Sequence, residues 1–198
     1  MVQKHLVMWL LSFMFVIVAN LFFAQNYQDD ATKEQKMISG FLGYESGTKI
    51  NANAVSIYKY CCNWLAEYSA IIFVPEENRN VSDGFKSNIS ILHGAFWTSI
   101  YMSIVRSHIA LLWLYVLCIL FIGLFFQARV KRKILKYTYG YSSPDKYTWG
   151  GHMIIASFGG FFTYIFFPVP IHPLMPITLL LLAFLGLYLL VSNFQQKI

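Results

Sequence analysis

The chain has 198 residues, 57% hydrophobic and 18% aromatic, with 12% charged and a formal net charge of +6. Soluble globular domains carry about a quarter charged residues, and water could not cover this much apolar surface, so the composition excludes an ordinary soluble domain and points to the membrane class. Three cysteines, Cys61, Cys62 and Cys118, exclude a disulfide framework, because an adjacent pair rarely closes on itself and Cys118 stands in an apolar run; an intermolecular bridge through Cys61 or Cys62 stays open.

The first predicted element is LVMWLLSFMFVIVANLFFA, residues 6–24, 19 residues without a charge. At about 1.5 Å per residue it reaches ~29 Å, one hydrocarbon core. Lys4 precedes it as in a signal peptide. The run is longer than a usual signal core, however, and Phe22 stands where cleavage after Ala24 needs a small residue. We expect an uncleaved anchor over residues 1–24.

Residues 25–105 then form an expected helical loop domain outside the membrane. Thr32-Lys-Glu-Gln35 resembles a capping box, which would start a short helix ended by Gly40 and Gly43. Ile57, Cys61, Trp64, Tyr68 and Ile72 recur at helical steps, predicting an amphipathic helix stopped by Pro75. After the polar turn EENRNVSDG, a second set, Ile89, Leu92, Phe96, Ile100 and Ile104, leads into the next span. The spacing predicts one long helix whose outer half packs on the Ile57–Ile72 helix or lies at the membrane surface. Asn80 and Asn88 open sequons that matter only in a eukaryotic source.

Residues 106–198 are expected to be a three-span domain. Its spans are 109–126, 151–167 and 177–194, and none has a charged side chain in its core that would mark a proton or ion path. Between the last two lies PVPIHPLMP, with Pro168, Pro170, His172, Pro173 and Pro176. Proline removes a helical donor and fixes φ, so this cluster predicts a tight helical hairpin. Ser157, Gly159, Gly160 and Gly186 are the small residues expected at helix contacts.

Orientation follows from charge. Residues 25–100 hold six Lys or Arg against eight Asp or Glu, a net of −2, whereas 129–149 hold six against one, a net of +5. Basic loops stay cytoplasmic, so loop 127–150 and both termini are placed inside. Arg129, Lys131, Arg132, Lys133 and Lys136 thus form a juxtamembrane cation cluster. Topology and lipid headgroups are the leading explanation, followed by docking of a cytosolic protein. Direct nucleic-acid binding is not expected, since no groove-reading element accompanies the cations.

The remaining candidates are sparse. Arg106 and His108, beside Trp97, read either as an interface anchor with belt aromatics or as a pairing with an acidic partner. His152 and His172 lie 20 residues apart, ~30 Å along a helix, too far for one metal, and no histidine has a ligand at i+4. We expect no cofactor, no metal and no catalysis; Ser157 lacks an evident base.

Residues from about 103 to 198 carry a further pattern: Arg106 opening a span, Gly123 near its end, Arg129-x-x-Arg132, a Gly140-to-Ser143 turn, His172-Pro173 in the hairpin, and Ser192-x-Phe194 at the close. In these motifs the C-terminal half resembles the integrating conjugative element membrane protein family, small bacterial inner-membrane proteins encoded with type IV secretion and coupling genes. The resemblance implies a structural subunit of a conjugation or secretion apparatus, with other membrane subunits and a coupling ATPase as partners.

The sequence therefore predicts an all-α, four-span integral protein of the bacterial inner membrane with an extracytoplasmic helical loop. The alternatives are a lipid-modifying or small transport component acting as a homo-oligomer, or an exclusion or immunity protein whose outer loop recognises a donor cell.

Overall fold

The computed structural model describes residues 11, 14, 15, 19, 26–73, 83–138 and 143–194, with the backbone alone at 83–85. Most of the first expected span, Pro75, Asn80, Gly140, Lys4 and Lys197 lie outside these residues. Among those described, the fold is all-helical: α1 (Tyr27–Leu42), α2 (Tyr44–Cys61), α3 (Asn63–Phe73), α4 (Asp83–Tyr137), α5 (Pro144–Phe166) and α6 (Met175–Ser192), with no strand.

Local chemistry sets the first boundaries. Asp29 and Asp30 sit in the first turn of α1, where acids complement the helix dipole. The expected capping box does not form. Thr32 lies inside α1 and its hydroxyl turns back to the Gln28 carbonyl at 2.7 Å, because the helix has already begun at Tyr27. α1 ends at Gly43, whose φ of 87° is the left-handed geometry that favours glycine. Helix α2 then folds back, with Gly47 placed where a Cβ would come 3.0 Å from the Ser39 backbone.

The stripe Ile57–Ile72 is divided between α2 and α3 by a break at Cys62. Backbone hydrogen bonds carry across it, Cys62 N–H to Tyr58 O at 2.8 Å and Ala66 N–H to Cys62 O at 2.9 Å. All five stripe residues are exposed, so the expected packing of this stretch on α4 is not made through the stripe. The contact with α4 is made by Tyr58 and Ser69 instead, on the adjoining face.

The second periodic set and the second span do run as one helix. α4 has 55 residues, about 80 Å at 1.5 Å per residue. By chain contacts the protein divides into two compact units, one spanning residues up to Ile109 with Thr163–Pro173, the other Ala110–Phe162 with Leu174 onward. The first is built on buried Ile38, Ala54, Met102, Val105 and Ile109. In the second, α5 lies against α6 at Gly150 and Gly186, where a Cβ on either glycine would meet the other's carbonyl oxygen at 2.6–2.8 Å. Phe121 meets Phe184 at 5.0 Å, joining α4 to α6.

Two of the described helices are long and apolar enough to cross a membrane, Lys86–Tyr137 and Met175–Ser192. The third expected span forms α5 but is not among them; its run of residues 150–160 includes four glycines, His152 and Ser157.

Candidate functional site

Position 106 is the only charge on α4 between Lys86 and Arg129, and it is buried. The Arg106 and Glu34 side chains are 1% and 2% exposed. Arg106 Nε donates to Glu34 Oε1 at 2.8 Å and Nη2 donates to Oε2 at 2.5 Å, a bidentate fork. Nη1 donates to the carbonyls of Tyr164 at 3.0 Å and of Phe167, and Nη2 donates to Val169 O at 2.9 Å. All five guanidinium protons thus have acceptors.

The proline cluster explains why the carbonyls are available. In a continuing helix, residue 168 would donate to Tyr164 O; Pro168 has no N–H to give. The end of α5 is left with unsatisfied acceptors and the negative end of its dipole, and Arg106 supplies both the donors and the charge. The guanidinium also lies 5.9 Å from the Tyr164 ring centroid, and Ile171 N–H reaches Glu34 Oε2 at 3.4 Å. Chemically the arrangement is a closed clamp joining α1, α4 and the proline segment.

Tyr27 is buried beside this clamp. Burial pushes its phenol above the ordinary range, against a hydrogen bond with Ser99 and the charge of Arg106, which pull it down.

The other sequence candidates are distributed around these groups. Pro168, Pro173 and Pro176 are buried, Pro170 is half-buried, and exposed His172 meets the Phe41 ring edge-on at 5.5 Å. His108 Nδ1 lies 2.9 Å from Ile104 O on its own helix. Trp97 is apart from Arg106: its indole N–H lies 3.0 Å from Ser69 Oγ and 3.1 Å from His93 Nε2.

The cation cluster belongs to the second unit, on the last turns of α4 rather than on a loop. Arg129, Lys131, Lys133 and Lys136 are exposed. Arg129 lies over Phe125 at 5.3 Å, Lys131 over Tyr188 at 5.4 Å and Arg132 over Phe194 at 4.8 Å. These cation–π contacts orient the stems while leaving the charges unneutralised, since none of the five forms an ion pair among the described residues.

Sequence reasoning singled out Arg106 but missed Glu34, which lies 72 positions earlier. In the sequence Glu34 reads only as an interior member of the expected Thr32–Gln35 capping box and as one of the eight acids of residues 25–100.

Compared with known proteins, the chain matches a family model described as IncC plasmid conjugative DNA transfer protein DtrJ-like over residues 6–195. No curated protein and no solved structure matches it. The association with conjugation expected from the C-terminal motifs is thus shown, across nearly the whole chain.

Proposed function

We propose, for a chain that belongs to the DtrJ-like family of conjugative DNA transfer proteins, the role of a structural membrane subunit of the transfer apparatus. One observation carries the membrane part. The most apolar window of α4 has a mean hydropathy of 2.8 and only 6% of it is buried. The core helix of a soluble protein would be buried by its own fold; an apolar helix that is not must find apolar surroundings in lipid or in neighbouring spans. α6 has a window of 2.3. With runs 6–24 and 151–167 as the other two crossings, the chain has four spans with both termini in the cytoplasm of a bacterial inner membrane.

In that arrangement the cation cluster faces the cytoplasm at the end of α4. It meets headgroups first, at about 1 kcal/mol per charge, and its unneutralised charges suit an acidic face on another subunit, such as a coupling ATPase. The narrower likeness to integrating conjugative element membrane proteins supports the same role. No catalytic step is assigned.

The test is neutralisation without inversion. Donor cells carrying Lys131→Gln, Lys133→Gln and Lys136→Gln keep Arg129 and Arg132 to hold orientation. We expect the protein to remain in the membrane fraction while transfer frequency falls. Unchanged transfer would remove docking from the role of the cluster.

A further inference from the structure

The net charge of the chain belongs to one of its two units. The first unit holds eight Lys or Arg against eight Asp or Glu, a net of 0; the second holds seven against Asp145 alone, a net of +6. Four of the seven are Arg129, Arg132, Lys133 and Lys136, the i, i+3, i+4, i+7 spacing that sets them on one face of α4. Lys131 lies off that face.

Height along the helix grades this stripe. The apolar run ends at Phe126 and α4 continues to Tyr137. At about 1.5 Å per residue, Arg129 stands ~4.5 Å beyond the run, Arg132 ~9 Å and Lys136 ~15 Å. The polar layer on one side of a bilayer is roughly 5–8 Å deep. Helical side chains lean back toward the N-terminus, so both arginines reach that layer, and Lys136 starts well past it.

The arginines are also the seated members of the stripe. Arg129 lies over Phe125 at 5.3 Å, and half-buried Arg132 lies over Phe194, just past α6, at 4.8 Å. A ring beneath the flat of a guanidinium leaves its N–H edge facing outward. Among the described residues neither fork has an ion-pair or hydrogen-bond acceptor. Arg106, by contrast, has all five of its protons filled by Glu34 and three carbonyls. Two oriented guanidinium forks one helical turn apart, at the edge of hydrocarbon and without acceptors, match a tetrahedral oxyanion. The uncompensated +6 of the unit selects a lipid of net negative charge over a zwitterionic one.

We propose that Arg129 and Arg132 form a binding site for the phosphate of one anionic phospholipid, distinct from Lys133 and Lys136 farther along the same face. The proposal rests on the membrane role above, and the experiment separates the two. The intact chain in neutral detergent is mixed with equal amounts of phosphatidylglycerol and phosphatidylcholine, and the chain carrying one lipid is resolved by native mass spectrometry.

One cation at the membrane surface is worth about a fivefold preference for anionic lipid, so we expect the phosphatidylglycerol adduct to exceed the phosphatidylcholine adduct at least about fivefold. Arg129→Gln with Arg132→Gln should bring the ratio close to one, with the phosphatidylcholine adduct unchanged as the sign of an intact fold. Lys133→Gln with Lys136→Gln removes the same charge and should keep most of the preference. Arg129→Lys with Arg132→Lys keeps the charge but not the forks, and should lose most of it.

Equal loss in the two glutamine pairs, or full retention in the lysine pair, means a diffuse field and overturns the site. Excess inorganic phosphate during mixing should leave the ratio unchanged; abolition of the preference assigns the forks to free phosphate and overturns the lipid. A chain that needs detergent but shows no preference overturns the site and spares the membrane role. A chain that stays in solution when detergent is removed overturns both.

Discussion

Arg106 donates to the Tyr164 carbonyl across 3.0 Å, the place where Pro168 cannot. A proline that ends a helix normally leaves its carbonyls to water; here a side chain from another helix completes the ladder and brings a counter-charge, Glu34, with it. The result is a fixed point between α1, α4 and the proline segment, and it removes the one charge from the middle of a long apolar helix.

Breaking this clamp from one side should cost far more than removing it. Glu34→Gln or Arg106→Met leaves a buried group uncompensated, and we expect each to lower stability by about 3–5 kcal/mol. Replacement of both by Met costs less than the sum of the two, since it leaves no orphaned charge but still strips the Tyr164, Phe167 and Val169 carbonyls of their donor. Unfolding midpoints of the three variants in one detergent check this, and equal additive losses would show that the pair is not coupled. In the Arg106→Met background, Pro168→Ala returns the missing N–H and should recover about 1 kcal/mol.

Gly150 and Gly186 make a closer demand than Gly160. A Cβ at either of the first two meets backbone oxygen of the other at 2.6–2.8 Å, whereas at Gly160 the nearest atom is the flexible end of Leu179. We expect Gly150→Ala and Gly186→Ala to destabilise by about 1–3 kcal/mol, and Gly160→Ala by clearly less, measured by thermal unfolding in detergent.

The buried phenol of Tyr27 gives an alkaline limit. Its folded pKa is raised by burial, so it contributes stability that is complete below the ordinary phenol pKa of about 10 and is lost as pH rises through the folded value. We expect stability to fall above pH ~10 and Tyr27→Phe to flatten that fall. An identical alkaline profile in the variant would exclude Tyr27 as its source.

Topology can be read from Cys61, which is exposed. In spheroplasts a membrane-impermeant maleimide should label Cys61, and should reach a cysteine placed at Tyr137 only after lysis. Labelling of both from outside would defeat the four-span arrangement.

Much of the architecture was legible because apolar periodicity reports helix directly: the Ile89–Ile104 set and the run that follows form α4 without interruption. The Ile57–Ile72 stripe shows the limit of the method. Period identifies the face of a helix but not what covers it, and all five residues are exposed. The clamp was half legible. An arginine at the head of an apolar run invites a partner, yet nothing local to Arg106 points to Glu34, and the acceptors are backbone carbonyls that no side-chain pattern encodes. The contact of Ser69 with His93 was hidden for a related reason. Neither residue stands out singly, and they meet only when α3 folds against α4.

The most direct measurement is recovery of the intact chain from donor membranes after mild crosslinking, with its companions identified by mass spectrometry. We predict other subunits of the transfer apparatus among them, lost when Lys131, Lys133 and Lys136 are neutralised. Recovery of the chain alone, with its insertion unchanged, would contradict the role of a structural membrane subunit.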